Sequence, residues 1–205
     1  MWTDISNEWK IAFLEGWTAF KNGSTPIGAA LFDKDGNLIA QNRNRAGEEG
    51  TLNKRTSHAE ANILHNIDTS IYDLHEMTLY STMEPCPMCM GTCVMAGVRR
   101  LRFAARDPYC GFTYLKDTEP YFKTKALDYS FMDDEMELVQ LVIQGYRELR
   151  YMEQGASDKV YRTFYELVPK MKEITEALYK EKILDKFAKE DKPFSEVYDY
   201  ILSLK

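Results

Sequence analysis

The sequence predicts an α/β layered domain, and three observations carry that prediction. Apolar residues recur at helical spacing over residues 4–21 and 135–152. Short apolar runs bounded by turn residues lie between them. The two patterns alternate as α-β-β-α-β-α-β before more helix, the order expected of helices packed on a sheet. With 205 residues, 44% hydrophobic and 28% charged, the composition is globular and excludes a disordered or collagen-like chain.

The first helix places Ile5, Trp9, Ala12, Phe13, Trp17 and Phe20 on one face and stops at Asn22-Gly23. The runs Ile27–Phe32 and Leu38–Ala40, joined by Asp33-Lys34-Asp35-Gly36-Asn37, form a β-hairpin. Gln41 to Thr56 is polar and reads as a loop. Helical spacing resumes over 57–66, with Ser57 as the expected N-cap. Met77–Thr82 is a strand. Pro85–Ala96 is a helix opened by a proline and closed by Gly97. Val98–Ala105 is a strand, Asp107–Gly111 a turn-rich loop, and residues 135–152 an amphipathic helix.

After Gly155 the pattern becomes helical and glycine-free, with breaks near Val168-Pro169 and Lys192-Pro193. The expected division is therefore a domain at 1–154 and a helical C-terminal extension at 155–205, whose apolar stripe packs on the core or on another subunit. Residues 155–205 carry ten acidic and ten basic side chains, so the net charge of −6 falls wholly on residues 1–154. An acidic chain is not built to clamp phosphate backbones over its whole surface. Nucleic acid would need a local patch, for which Arg99, Arg100, Arg102 and Arg106, with Arg43, Arg45, Lys54 and Arg55, are the candidates. Ordinary ion pairing with the acidic excess is the preferred reading of them.

Four cysteines are too few for a disulfide scaffold, and three of them crowd together at Cys86, Cys89 and Cys93. That crowding, with no export-type apolar run in the first twenty residues, predicts a cytoplasmic, reducing setting and a metal or redox site. No run of about 18 apolar residues is present to span a membrane.

The informative residues are His58-Ala59-Glu60 and Pro85-Cys86-Pro87-Met88-Cys89, each at a predicted helix start. One imidazole and two thiolates suit tetrahedral zinc and leave a fourth position for water. Zinc lowers the pKa of that water from 15.7 toward ~7. Glu60, two residues after His58, faces another side of the turn, where a carboxylate moves protons without ligating. H-x-E followed by P-C-x-x-C is the pattern of zinc nucleobase deaminases, and the sequence matches every specified position. Cys93 is either a fourth ligand or a buried core thiol, and the latter is preferred. Cys110 either lines a pocket or is a chance loop cysteine. Tyr109, Phe112 and Tyr114 are placed to stack on a base or to pack a loop. His65 and His75 read as packed or surface histidines.

The segments PIGAALFDKDGNLIAQNRNR, HAE and TLYSTMEPCPMCMGTCVMAGVRRLRFAARD resemble the cytidine-deaminase-like superfamily over about residues 5–150. The nearest branch holds tRNA adenosine deaminases, guanine deaminases and fungal-type cytosine deaminases. The resemblance implies a three-layer α/β/α fold with a mixed five-stranded sheet. It implies that His58, Cys86 and Cys89 hold Zn2+ and that Glu60 is the catalytic proton shuttle. It further implies substrate contacts from Asn44 (with Asn42 as the other candidate), the Ala59 N–H, the Glu84 carbonyl and the Asp107 loop, and a homodimer. Three functions follow from this reading. The first is a hydrolytic deaminase of a nucleobase or nucleoside, purine favoured. The second is a tRNA adenosine deaminase, and the third an inactive zinc-binding partner subunit.

Overall fold

The predicted hairpin is one edge of a five-stranded mixed sheet. Its strands are β1 (Gly28–Phe32), β2 (Leu38–Arg43), β3 (Thr78–Ser81), β4 (Arg100–Phe103) and β5 (Asp128–Phe131), in the order β2-β1-β3-β4-β5. They are seen in a computed structural model that describes Met1 to Lys205. β1 runs antiparallel to β2 and β3, while β4 runs parallel to β3 and β5. The hairpin turn is held by the Asp33 carboxylate, which accepts from the Asp35 and Asn37 N–H groups at 2.9 and 2.8 Å. Gly36 there supplies a φ of +81° that L side chains rarely adopt. β2 continues to Arg43, so the expected loop begins three residues later than its polarity suggested; an edge strand tolerates polar side chains on its solvent side.

β1 is buried along its whole length, and alternation divides it between two apolar clusters. Ala29 and Leu31 join Leu79, Leu101 and Phe103 against helices α2 (Ala59–Leu64) and α3 (Pro87–Ala96). Ala30 and Phe32 face the opposite way, against α1 (Asn7–Lys21) and α6 (Asp134–Glu153). α1 lies so close to β1 that a Cβ on Gly28 would sit 2.1 Å from the Ala12 carbonyl oxygen. Glycine is the residue that permits this approach. Two one-turn helices, α4 (Leu115–Thr118) and α5 (Pro120–Lys123), and the edge strand β5 lie in the stretch between β4 and α6. The sequence pattern showed none of the three, since four-residue elements are too short to display a period. α6 is capped by Asp133, whose side chain accepts from the Glu135 and Met136 N–H groups.

The C-terminal residues form α7 (Lys159–Leu167), α8 (Pro169–Lys180), α9 (Ile183–Lys189) and α10 (Phe194–Ser203). Besides the two predicted breaks there is a third at Lys182, a non-glycine residue with φ +52°. These helices share the cluster of α1 and α6: Phe194 stacks on Phe13 at 5.7 Å between ring centroids, and Trp17 Nε1 donates to the Lys192 carbonyl at 3.2 Å. The apolar stripe of the extension therefore packs on the chain's own core.

Candidate active site

The ends of β3 and β4 and the start of β1 meet at one end of the sheet, the crevice where open α/β sheets hold ligands. His58 is the N-cap residue of α2 and Cys86 that of α3, with Pro87 opening α3 and Cys89 in its first turn. Ser57 and Pro85 thus each lie two residues before the first residue of the helix they were expected to start. The Ser57 hydroxyl is hydrogen-bonded to the Asn62 side chain, which also donates to the Arg43 carbonyl at 2.9 Å. That bond ties the start of α2 to the end of β2.

The fold brings His58, Cys86 and Cys89 together as one donor set. His58 Nδ1 lies 3.5 Å from Cys86 Sγ and 3.6 Å from Cys89 Sγ. Tetrahedral zinc, with Zn–S near 2.3 Å and Zn–N near 2.0–2.1 Å, sets its sulfur and nitrogen ligands about 3.5 Å apart. The residues therefore fit the ion in both chemistry and spacing. Hydrogen bonds from Cys89 and His58 push the Cys86 thiol down to about 4, while the proton it shares holds Cys89 up. A metal would displace that remaining proton. Cys93 is fully buried among the apolar residues of the α2–α3 cluster and is outside the donor set.

Glu60 is 3% exposed. One carboxylate oxygen lies 3.4 Å from Cys89 Sγ and the other accepts from Ser81 Oγ at 3.3 Å. The carboxylate sits against the donor set without belonging to it. Burial pushes its pKa up from the usual carboxylate range.

A cavity of about 200 Å³ opens beside these groups. His58, Glu60, Cys86, Asn44, Glu84 and Asp107 all line it. Ala59 lies outside the lining, its N–H at the first turn of α2. The Asn44 carbonyl oxygen accepts from the Ala46 N–H at 2.9 Å, which leaves its amide hydrogens to face the cavity. Asn42 lines a separate, polar surface depression. The Glu84 carboxylate is spent on structure, accepting from the Asp107 and Thr113 N–H groups and the Thr113 hydroxyl. A Cβ on Gly111 would collide with it at 2.3 Å. The Asp107 carboxylate likewise accepts from the Tyr109 and Cys110 N–H groups. Tyr109 and Cys110 also reach the cavity, whereas Phe112 and Tyr114 pair with each other.

The other wall was not anticipated. Gln144 from α6, and Val160 and Phe164 from α7, come from the opposite layer of the sheet and complete the cavity. The one available signal was a glutamine inside the apolar face of α6, between Val142, Ile143 and Tyr146. Half of the eight basic candidates are ion-paired: Arg43 with Glu15 and Glu48, Arg45 with Glu48, Arg102 with Asp128, and Arg106 with buried Glu137; Lys54, Arg55, Arg99 and Arg100 have no carboxylate partner.

The mixed sheet, with H-x-E and C-x-x-C segments opening two helices on one of its faces, defines a cytidine-deaminase-like fold. Matching over residues 7–150, the chain belongs to the MafB19-like deaminase family. It is similar to a tRNA-specific adenosine deaminase of Agrobacterium fabrum, 36% identical over 104 residues that cover 50% of this chain and 66% of the relative. It is also similar to a probable cytosine deaminase of Schizosaccharomyces pombe, 36% identical over 81 residues, 40% of this chain and 48% of the relative. The chain thus spans less than two thirds of either curated relative. A solved structure from a study of A-to-I editing by tRNA:A34 deaminases aligns with a TM-score of 0.52 and 30% identity. That alignment covers 60% of this chain and 90% of the other. Helices α7–α10 lie beyond the matched family region.

Proposed function

We propose that the chain is a zinc-dependent hydrolytic deaminase of a nucleobase or nucleoside, purine favoured, that releases ammonia. The observation that carries this reading is the spacing of His58, Cys86 and Cys89 with buried Glu60 against them on the wall of one small cavity. When bound there, zinc supplies a water of lowered pKa as a nucleophile at neutral pH. Glu60 would take one proton of that water and hand it to a ring nitrogen as the water oxygen bonds to the ring carbon. It would then take the proton of the added hydroxyl and deliver it to the amine, whose C–N bond breaks to release ammonia. Ser81 Oγ lies 3.3 Å from the carboxylate and shares its one hydroxyl proton between Glu60 and the nearer Met83 carbonyl at 2.8 Å. Asn44 offers its amide hydrogens to an acceptor on the ring.

A small substrate is favoured because about 200 Å³ lies below the roughly 300–1,000 Å³ of sites for drug-sized ligands. Two arginines that could otherwise face a phosphate backbone, Arg43 and Arg106, are also already paired. The names of the A. fabrum relative and of the tRNA:A34 structure favour a second reading, deamination of adenosine in tRNA, and support the purine preference. Ammonia release from bases, nucleosides and tRNA, with a salt titration of tRNA binding, separates the two. Turnover of a base or nucleoside without tRNA binding at modest salt is the expected result. Release from tRNA alone would overturn it. An inactive partner subunit has no use for the Glu60 carboxylate; it would release no ammonia from any of these.

A further inference from the structure

Helix α6 buries two polar side chains three residues apart, Glu137 and Gln140, each 1% exposed. Burying a carboxylate is costly, and an apolar side chain of similar volume often serves a packed face as well or better. Its presence there calls for a use. The Glu137 carboxylate is engaged with one residue. One oxygen accepts from the Arg106 backbone N–H at 2.9 Å and from Arg106 Nε at 2.8 Å, and the other from Arg106 Nη2. The guanidinium also lies over the Phe131 ring, 4.6 Å from its centroid. The next N–H along the chain, that of Asp107, donates to a different carboxylate, Glu84, at 3.1 Å. Glu84 lies two residues before Cys86. Residues 106 and 107 are therefore fixed from α6 and from the metal-binding segment at once. Just beyond this clamp, Asp107, Tyr109 and Cys110 line the cavity.

Gln140 holds a second loop in the same manner. Its Nε2 donates to the Pro26 carbonyl at 2.9 Å. The neighbouring Ile27 carbonyl accepts from the Asn44 N–H at 2.9 Å, and Thr25, Ile27 and Asn44 all line the cavity. His58, Cys86, Cys89 and Glu60 make no hydrogen bond to either side chain and are placed by the starts of α2 and α3. We propose that Glu137 and Gln140 are positioning residues for substrate binding. From one helix they hold the two loops that carry Asp107 and Asn44, and they leave the reacting groups untouched. The proposal rests on the deaminase reading above and adds to it the residues that set affinity instead of chemical rate.

The test measures ammonia release from cytosine, adenine, guanine and their ribonucleosides by zinc-loaded protein, and amide hydrogen exchange along the chain. Glu137→Gln keeps the shape and removes the charge. Gln140→Leu removes the amide, leaves no charge unpaired and guards against a Glu137 variant that fails to fold. Each should raise KM for the preferred compound by about three- to tenfold with kcat within about twofold and zinc content unchanged. In the double variant the two factors should multiply, because they act on separate loops. Exchange should quicken over residues 106–113 alone in Glu137→Gln, and over 25–27 and 44–46 alone in Gln140→Leu. An unchanged KM in both variants, a kcat or zinc content that falls along with affinity, or exchange that quickens evenly along the chain would each overturn the proposal while leaving the deaminase reading intact. Zinc-loaded wild type that releases ammonia from none of these compounds, nor from tRNA, would overturn the deaminase reading instead. The exchange measurement needs no turnover and would still decide whether α6 holds the loops.

Discussion

The two walls of the cavity are built in opposite ways. The wall that would do the chemistry comes from two short segments, 58–60 and 86–89, each fixed by a helix start on one layer of the sheet. The facing wall comes from α6 and α7 on the other layer, held by apolar packing that runs through α8–α10. The difference teaches that reactive groups are set by local geometry, a ligand here and a ligand three residues on, while the shape of the space they act in is set by long-range packing.

Changes to the two walls should therefore separate, and the largest effect falls on the first. Cys86→Ser should reduce zinc from one ion per chain to near none by elemental analysis and abolish ammonia release. Retained stoichiometric zinc would show that the donor set is misidentified. Glu60→Gln should leave zinc content unchanged and lower kcat by about 10²–10⁴-fold; a variant with near-normal turnover would remove Glu60 from proton transfer. Phe164→Ala acts on the second wall. It should cost about 3–5 kcal/mol of unfolding free energy in a denaturant titration, keep its zinc, and raise the relative turnover of larger substrates. A loss of zinc instead would break the separation of the walls. Ser81→Ala should be the mildest, slowing kcat about fivefold through loss of one hydrogen bond with KM unchanged. A change in KM with constant kcat would place Ser81 at the substrate instead of at Glu60.

The legibility of the sequence follows the same division. His58, Glu60, Cys86 and Cys89 stood out because metal coordination demands specific residue types at short spacing, and the fold places all four together. The helix starts were displaced by two residues because His58 and Cys86 occupy the cap positions themselves. Strand β5 was hidden: its four residues, Asp128 to Phe131, gain their conformation from pairing with β4. The break at Lys182 was hidden because it uses a left-handed lysine where glycine is the usual signal. Gln144 was visible as a polar residue on an apolar face, but so was Gln140, and sequence does not tell a satisfied amide from an unsatisfied one. That distinction depends on Pro26 and Glu148, which only the folded chain places.

Helix α7 rests on α6 and α8, and none of its residues belongs to the donor set. Its nine residues are consequently a natural cassette for engineering. Replacing Val160 and Phe164 with side chains of other shapes would retune which ligands the cavity admits while the His58, Cys86 and Cys89 donor set stays untouched.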